Sequence, residues 1–216
     1  MIKVIDNFIN AAYYKTLENG ILTSFGSGMP WYWNSCISGG DSNLFGFSHS
    51  LYDAGKPTSS AYEFLLPMFI QAKEETDAKV FLRARADMTV TSGEQITYEP
   101  HIDMPEHNEH INTIFYIGDS DGDTIIYKEK FYPSIPYVEP KLPKTLTEEN
   151  RVTPKANRLV IFNGEHWHTG QSPKEHNRRV IINLNFGKDD YRVDIMRKIV
   201  EDTHHVYPQA PGLANG

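Results

Sequence analysis

The chain has 216 residues, 39% of them hydrophobic and 23% charged, which suits one globular domain with a sizeable core. Its formal net charge of −7 argues against broad binding to nucleic acid or anionic membrane, and the single cysteine, Cys36, excludes an intrachain disulfide and a zinc finger. The N-terminus lacks the apolar core of a signal peptide, and the most apolar window, AYEFLLPMFIQA, is too short to span a bilayer, so a cytoplasmic location is expected.

KVIDNF predicts a short strand. A helix follows over AAYYKTLENGIL with Asn10 as its N-cap, and Gly26 and Gly28 fall in the loop beyond. The aromatic, glycine-rich MPWYWNSCISGGDSNLFGFSHSLYD has no clean periodicity; its Trp31, Tyr32 and Trp33, like Trp167 further on, either wall a substrate site or pack helices onto a sheet, and packing is expected for most of them. A second helix is predicted from Ser59 or Ser60 into QAKEETD, kinked at Pro67. From Lys79 the pattern changes to short alternating segments: KVFLRARADMTV, QITYEPHID, HINTIFYIG, DTIIYKE, a weaker one near TEENRVTP, RLVIFN, EHWHTGQ and RRVIINLNF. Ser92-Gly93, Asp121-Gly122, Asn163-Gly164 and Ser172-Pro173 punctuate them as turns. A third helix is expected over DDYRVDIMRKIVEDTHH, with His204 and His205 at its C-terminal dipole.

This order predicts a mainly β fold with flanking helices, a jelly roll or double-stranded β-helix. The expected division is one domain over 1–206, its β core at about 79–187 and its helical support at 10–78 and 189–205, followed by a flexible tail at 207–216. The proline-rich FYPSIPYVEPKLPK, at 131–144, forms a long excursion between strands, either a lid or a surface insertion.

The chemistry concentrates in YEPHIDMPEHNEH. On a strand, His101 and Asp103 share a face, and a neutral imidazole beside a carboxylate suits a divalent first-row metal. A third ligand is available downstream in NGEHWHTG, where His166 and His168 also share a face; two histidines and one carboxylate form the facial triad of non-haem Fe(II) oxygenases. Arg178 and Arg179 open the strand that follows, and either could pair with the carboxylate of a cosubstrate. His107 and His110 are read as a polar loop after the first ligand segment.

PHIDMP, then NRLVIFNGEHWHTGQS, then RRVIINLNF, resemble the Fe(II)- and 2-oxoglutarate-dependent dioxygenases, nearest to the prolyl-4-hydroxylase-like branch with its small bacterial and phage members. The likeness runs from about Arg83 to Phe186. It implies His101, Asp103 and His168 as iron ligands, His168 being preferred to His166 for its WHTG context. Alternation places Arg179 with Ile181, Asn183 and Asn185, the more polar side of its strand, and the resemblance makes Arg179 the partner of the distal carboxylate of 2-oxoglutarate. Tyr116 matches a family tyrosine that bonds the same carboxylate, although a core tyrosine would look the same. The implied cofactor is Fe(II), with 2-oxoglutarate as cosubstrate and ascorbate as a possible accessory. The implied reaction hydroxylates an unactivated C–H bond and releases succinate and carbon dioxide. A prolyl residue of a peptide or protein is the first candidate substrate, and a free amino acid or other small molecule the next. Two other readings are open: a cupin-like metalloenzyme that does not use 2-oxoglutarate, which leaves the arginine unexplained, and a non-catalytic binding jelly roll.

Overall fold

The computed structural model describes residues 2–23, 28–37, 45–107, 109–133 and 138–188. The expected third helix, the tail and Gly26 lie outside these residues, as do positions 134–137 of the proline-rich excursion, whose remaining residues form neither strand nor helix. Strand β1 (Ile2–Ile5) precedes helix α1 (Ala11–Leu22), and the Asn10 side chain accepts a hydrogen bond from the Ala12 amide at 2.9 Å, the cap anticipated from sequence. Two strands form in the stretch that showed no periodicity, β2 (Tyr32–Asn34) and β3 (Gly46–Asp53), and β4 (Lys56–Pro57) follows just beyond it. Helix α2 (Ala61–Glu74) runs as one element through Pro67, burying Leu65, Met68, Phe69 and Ala72.

The remaining strands are β5 (Val80–Val90), β6 (His110–Tyr116), β7 (Thr124–Lys130), β8 (Glu148–Val152), β9 (Arg158–Asn163), β10 (His166–Gly170) and β11 (Arg178–Gly187). The larger sheet has the order β1-β9-β6-β11-β5-β3-β2, with β4 on β3, and the smaller one β10-β7-β8; the pairings are antiparallel. This is the double-stranded β-helix anticipated from the order of the strands. Among the described residues no helix is long and apolar enough to cross a membrane.

Alternation along β11 divides the interior. Val180, Ile182, Leu184 and Phe186 join the apolar layer between the larger sheet and the helices, with Leu17, Ile21, Leu65 and Met68. The opposite side faces the smaller sheet: Ile181 packs with Ile114, Tyr116, Ile126, Val160 and Phe162 in a second cluster, while Arg179, Asn183 and Asn185 line the same space. On β5 the alanines Ala84 and Ala86 face the helices, so Arg83, Arg85 and Asp87 point inward, as their register with Asn185, Asn183 and Ile181 requires.

The segment QITYEPHID is not a regular strand. It runs beside β10 through the isolated pairs Thr97–Gln171 and His101–His168, with mutual backbone bonds of 2.9 and 3.1 Å at the histidines. Pro100 has no amide to contribute, so the ladder cannot be continuous there. Tyr32 and Trp33 are also corrected: they are 61% and 62% exposed, since β2 is an edge strand, whereas Trp31 packs against the core and Trp167 is buried.

The N-terminal segment is fastened to the β core by Asn157. Its side chain accepts from the Ile9 amide at 3.0 Å and donates to the Ile9 carbonyl at 2.8 Å, from a left-handed backbone with φ of 60°. Asn157→Ala removes both bonds and adds strain, and should lower the unfolding free energy by about 2–4 kcal/mol in urea titrations. Asn157→Gly relieves the strain alone and should recover only about 1 kcal/mol.

His110 is buried at the start of β6 rather than in a polar loop. Its Nδ1 lies 3.1 Å from the His107 carbonyl, and its Nε2 is enclosed without a partner. Burial pushes its pKa from 6.5 down to about 4, so the unfolded chain binds the extra proton first. Stability that is whole above the unfolded pKa is therefore lost as the pH falls towards the folded one. Between pH of about 7 and about 4.5 the loss of unfolding free energy should be smaller by roughly 2 kcal/mol in His110→Gln.

Candidate active site

His101, Asp103 and His168 converge between the two sheets, each offering one ligand atom within 4.8 Å of the others. The Nε2 atoms of His101 and His168 stand 3.9 and 3.4 Å from the two oxygens of Asp103. The other ring nitrogens lie against backbone carbonyls, His101 Nδ1 at 3.2 Å from Glu99 and His168 Nδ1 at 3.1 Å from His166. Because a carbonyl only accepts, each Nδ1 carries the proton in these contacts, and the lone pair that a neutral ring offers a metal is that of Nε2, turned inward. Two such lone pairs and a carboxylate repel one another unless a cation lies among them. Burial, reinforced by His168, pushes the pKa of His101 down to about 4, so it is neutral at neutral pH. Burial alone would raise the Asp103 carboxyl, but His168 and the Arg83 guanidinium outweigh it and hold the group ionised. These are the protonation states a divalent metal requires of its ligands.

The carboxylate is itself held. Arg83 donates to Oδ1 at 2.9 Å, and Asn183 and Asn185 donate to Oδ2 at 2.9 and 3.3 Å. Arg83 also bonds the Asn185 carbonyl oxygen at 3.0 Å, so β5 and β11 orient Asp103 together.

His166 and His168 do not share a face. A bulge between them in the β10–β7 pairing pairs His166 with Lys130 but His168 with Ile126. His168 turns to the triad, while His166 turns away, with Nδ1 at 2.7 Å from the Tyr127 carbonyl and 3.3 Å from Glu149.

A pocket extends from the histidines towards Arg179, past Tyr98, Thr124 and Gly170. Arg179 is 5% exposed; one terminal nitrogen donates to Thr124 Oγ1 at 2.7 Å, and its Nε is buried without a partner. Thr89 Oγ1, also on this pocket, is buried and unpartnered too. Among the described residues no carboxylate pairs with Arg179, and Arg178 is exposed at the strand's edge. A buried cation without a counter-ion is costly, and an unmatched guanidinium beside an unmatched hydroxyl is the donor set of a carboxylate site. Gly170 leaves the room: a Cβ there would lie 3.3 Å from the Arg179 guanidinium.

Tyr116 is fully buried, and its hydroxyl donates to Thr124 Oγ1 at 2.7 Å, the atom that also accepts from Arg179. It thus stands behind Arg179, whose guanidinium carbon lies 5.8 Å from its ring centre, and Tyr98 and Thr124 line the pocket in front. Thr124, Tyr98, Thr89 and the inward row of β5 were not anticipated. The alternation of RARAD, charges against alanines, was the available sign of that row.

Residues 87–187 match the family model described as the 2OG-Fe(II) oxygenase superfamily, a span that contains the triad and Arg179. No curated protein matches the chain in sequence. Among solved structures, an oxidoreductase of the 2OG-Fe(II) oxygenase family from Burkholderia pseudomallei is 10% identical, with a TM-score of 0.57 over 87% of this chain and 86% of that one. The alpha-ketoglutarate-dependent epimerase SnoN from nogalamycin biosynthesis is 7% identical, with a TM-score of 0.57 over 86% and 78%. A prolyl-4-hydroxylase from Pseudomonas putida is 12% identical, with a TM-score of 0.51 over 86% and 92%. At such identities the neighbours speak for the fold, and the matched segment speaks for the family: residues 87–187, which hold the triad and Arg179, are similar to the 2OG-Fe(II) oxygenase superfamily, whose members work with Fe(II) and 2-oxoglutarate.

Proposed function

We propose that the protein is a 2-oxoglutarate-dependent hydroxylase of the prolyl-hydroxylase-like kind, acting on a prolyl residue or another amino-acid-derived substrate. The observation that carries this reading is Arg179: a buried guanidinium with no anion beside it among the described residues, set along one pocket from two imidazoles and a carboxylate. In this reading His101, Asp103 and His168 hold the iron, and Arg179 with Thr124 receives the far carboxylate of 2-oxoglutarate. Tyr116 keeps Thr124 in place. Neither a cupin-like enzyme without 2-oxoglutarate nor an inert jelly roll has a use for a buried, unmatched arginine.

Bound iron and 2-oxoglutarate would supply the oxidising power, with decarboxylation to succinate coupled to oxidation of a C–H bond. The chain's own part is positional. The backbone carbonyls of Glu99 and His166 fix the imidazole tautomers; Arg83, Asn183 and Asn185 fix the carboxylate; the second apolar cluster keeps water from the closed end of the pocket.

Two experiments test the reading. Titrating the metal-free protein anaerobically with Fe(II) and then 2-oxoglutarate should produce a weak visible charge-transfer band that needs both additions and is absent from His101→Ala. Metal binding without that band would remove the 2-oxoglutarate reading; product masses separate hydroxylation, which adds one oxygen atom, from epimerisation, which adds none. Arg179→Met should weaken 2-oxoglutarate binding by about 100-fold, on the order of 3 kcal/mol, while metal affinity stays unchanged. Because it removes a buried unpaired charge, the same variant should be at least as heat-stable as the wild type without ligands.

A further inference from the structure

The pocket has a second arginine that the oxygenase reading does not use. Arg85 projects from β5 on the inward face and lines the pocket together with His101, His168 and Asn183. It lies four residues along the strand from Thr89, at the Arg179 end, which separates the two positions by about 13 Å. One small dicarboxylate held at Arg179 and the triad therefore leaves Arg85 free for something else.

How Arg85 is held shows what it offers. Its Nε lies 2.8 and 2.9 Å from the two oxygens of Asp87. Asp87 in turn accepts from Ser48 Oγ at 3.0 Å, and Ser48 accepts from Asn34 at 3.1 Å, a chain that spans β5, β3 and β2. Among the described residues the two terminal nitrogens of Arg85 form no hydrogen bond. The side chain is braced on one edge, and the edge with the two terminal nitrogens remains open. Two parallel N–H groups on a planar frame match the two oxygens of a carboxylate. Since Asp87 already balances most of the charge, the site favours a group that uses both bonds over any passing anion.

We propose that Arg85, braced by Asp87, is the specificity-determining residue for the substrate and receives a carboxylate of that substrate next to the metal triad. This rests on the oxygenase reading and deepens it: the preferred substrate is a small acid or a chain end rather than the interior of a polypeptide. The carboxylate has two plausible sources, a free amino acid or a peptide's C-terminus.

The test uses the full chain loaded with Zn(II) in place of iron, so that no turnover occurs, and follows melting temperature with added 2-oxoglutarate. The probes are the free protein amino acids, their C-terminal amides, short proline-containing peptides with a free C-terminus, and the same peptides amidated. At least one free carboxylate should add a further rise over 2-oxoglutarate alone, and its amide should bind weaker by about tenfold or more. Response to amino acids identifies the first source, and response to peptides alone identifies the second. Arg85→Gln and Arg85→Lys should both lose the added rise while keeping the response to 2-oxoglutarate, which also shows that they are folded. A retained response to 2-oxoglutarate with no carboxylate effect, or a carboxylate effect that survives Arg85→Gln, overturns this proposal alone. Loss of the 2-oxoglutarate response in the wild type overturns the oxygenase reading and this proposal with it.

Discussion

Asp103 is the point on which the site depends. Its carboxylate is buried and charged, a state that persists only because Arg83, Asn183 and Asn185 reach it from two adjacent strands while two imidazoles face it from the other side. The segment that carries it has few regular ladder bonds of its own, so these side chains take over the task of a strand. The long β5–β11 pairing is thereby both scaffold and clamp: the side that faces the helices is apolar, and the side that faces the smaller sheet is polar.

The pocket beyond follows from the same division. Among the described residues Arg83 and Arg85 on the inward face of β5 have carboxylate partners, whereas Arg179 on β11 has none. Thr124 accepts from both Arg179 and Tyr116, which ties the guanidinium to β6 and β7. In the proposed reading, specificity divides along the length of the pocket, with the cosubstrate at the Arg179 end and a braced arginine near the metal ligands.

Much of this was legible in the chain. RRVIINLNF alternates so cleanly that parity separated its two arginines by face, Arg179 falling on the polar side that the structure buries; the role of Arg179 came from the resemblance. The order of His101, Asp103, His168 and Arg179 was equally readable. What was not readable depends on pairing rather than on local pattern. The bulge opposite EHWHTGQ belongs to the register between β10 and β7, where β7 carries the surplus, and no residue in the segment announces it. Strand β3 was hidden because it is defined by pairing with β5, and the interruption at Pro100 by its position within a ladder that sequence alone does not show. His110 looked like loop because its neighbours are polar, while its burial comes from Gly164, whose missing side chain leaves room for the imidazole.

The bulge has a consequence for how this protein tolerates change. Two histidines separated by one tryptophan reach different compartments because the partner strand β7 carries surplus length opposite them: three residues lie between Ile126 and Lys130, and one between the histidines they pair with. Removing two residues from β7 there would restore ordinary pairing and place both imidazoles on one side, offering four donors where three now meet. Point substitutions near the metal ligands alter the chemistry one group at a time. A change of length in β7 would instead alter the number of ligands, and with it the metal that the pocket prefers.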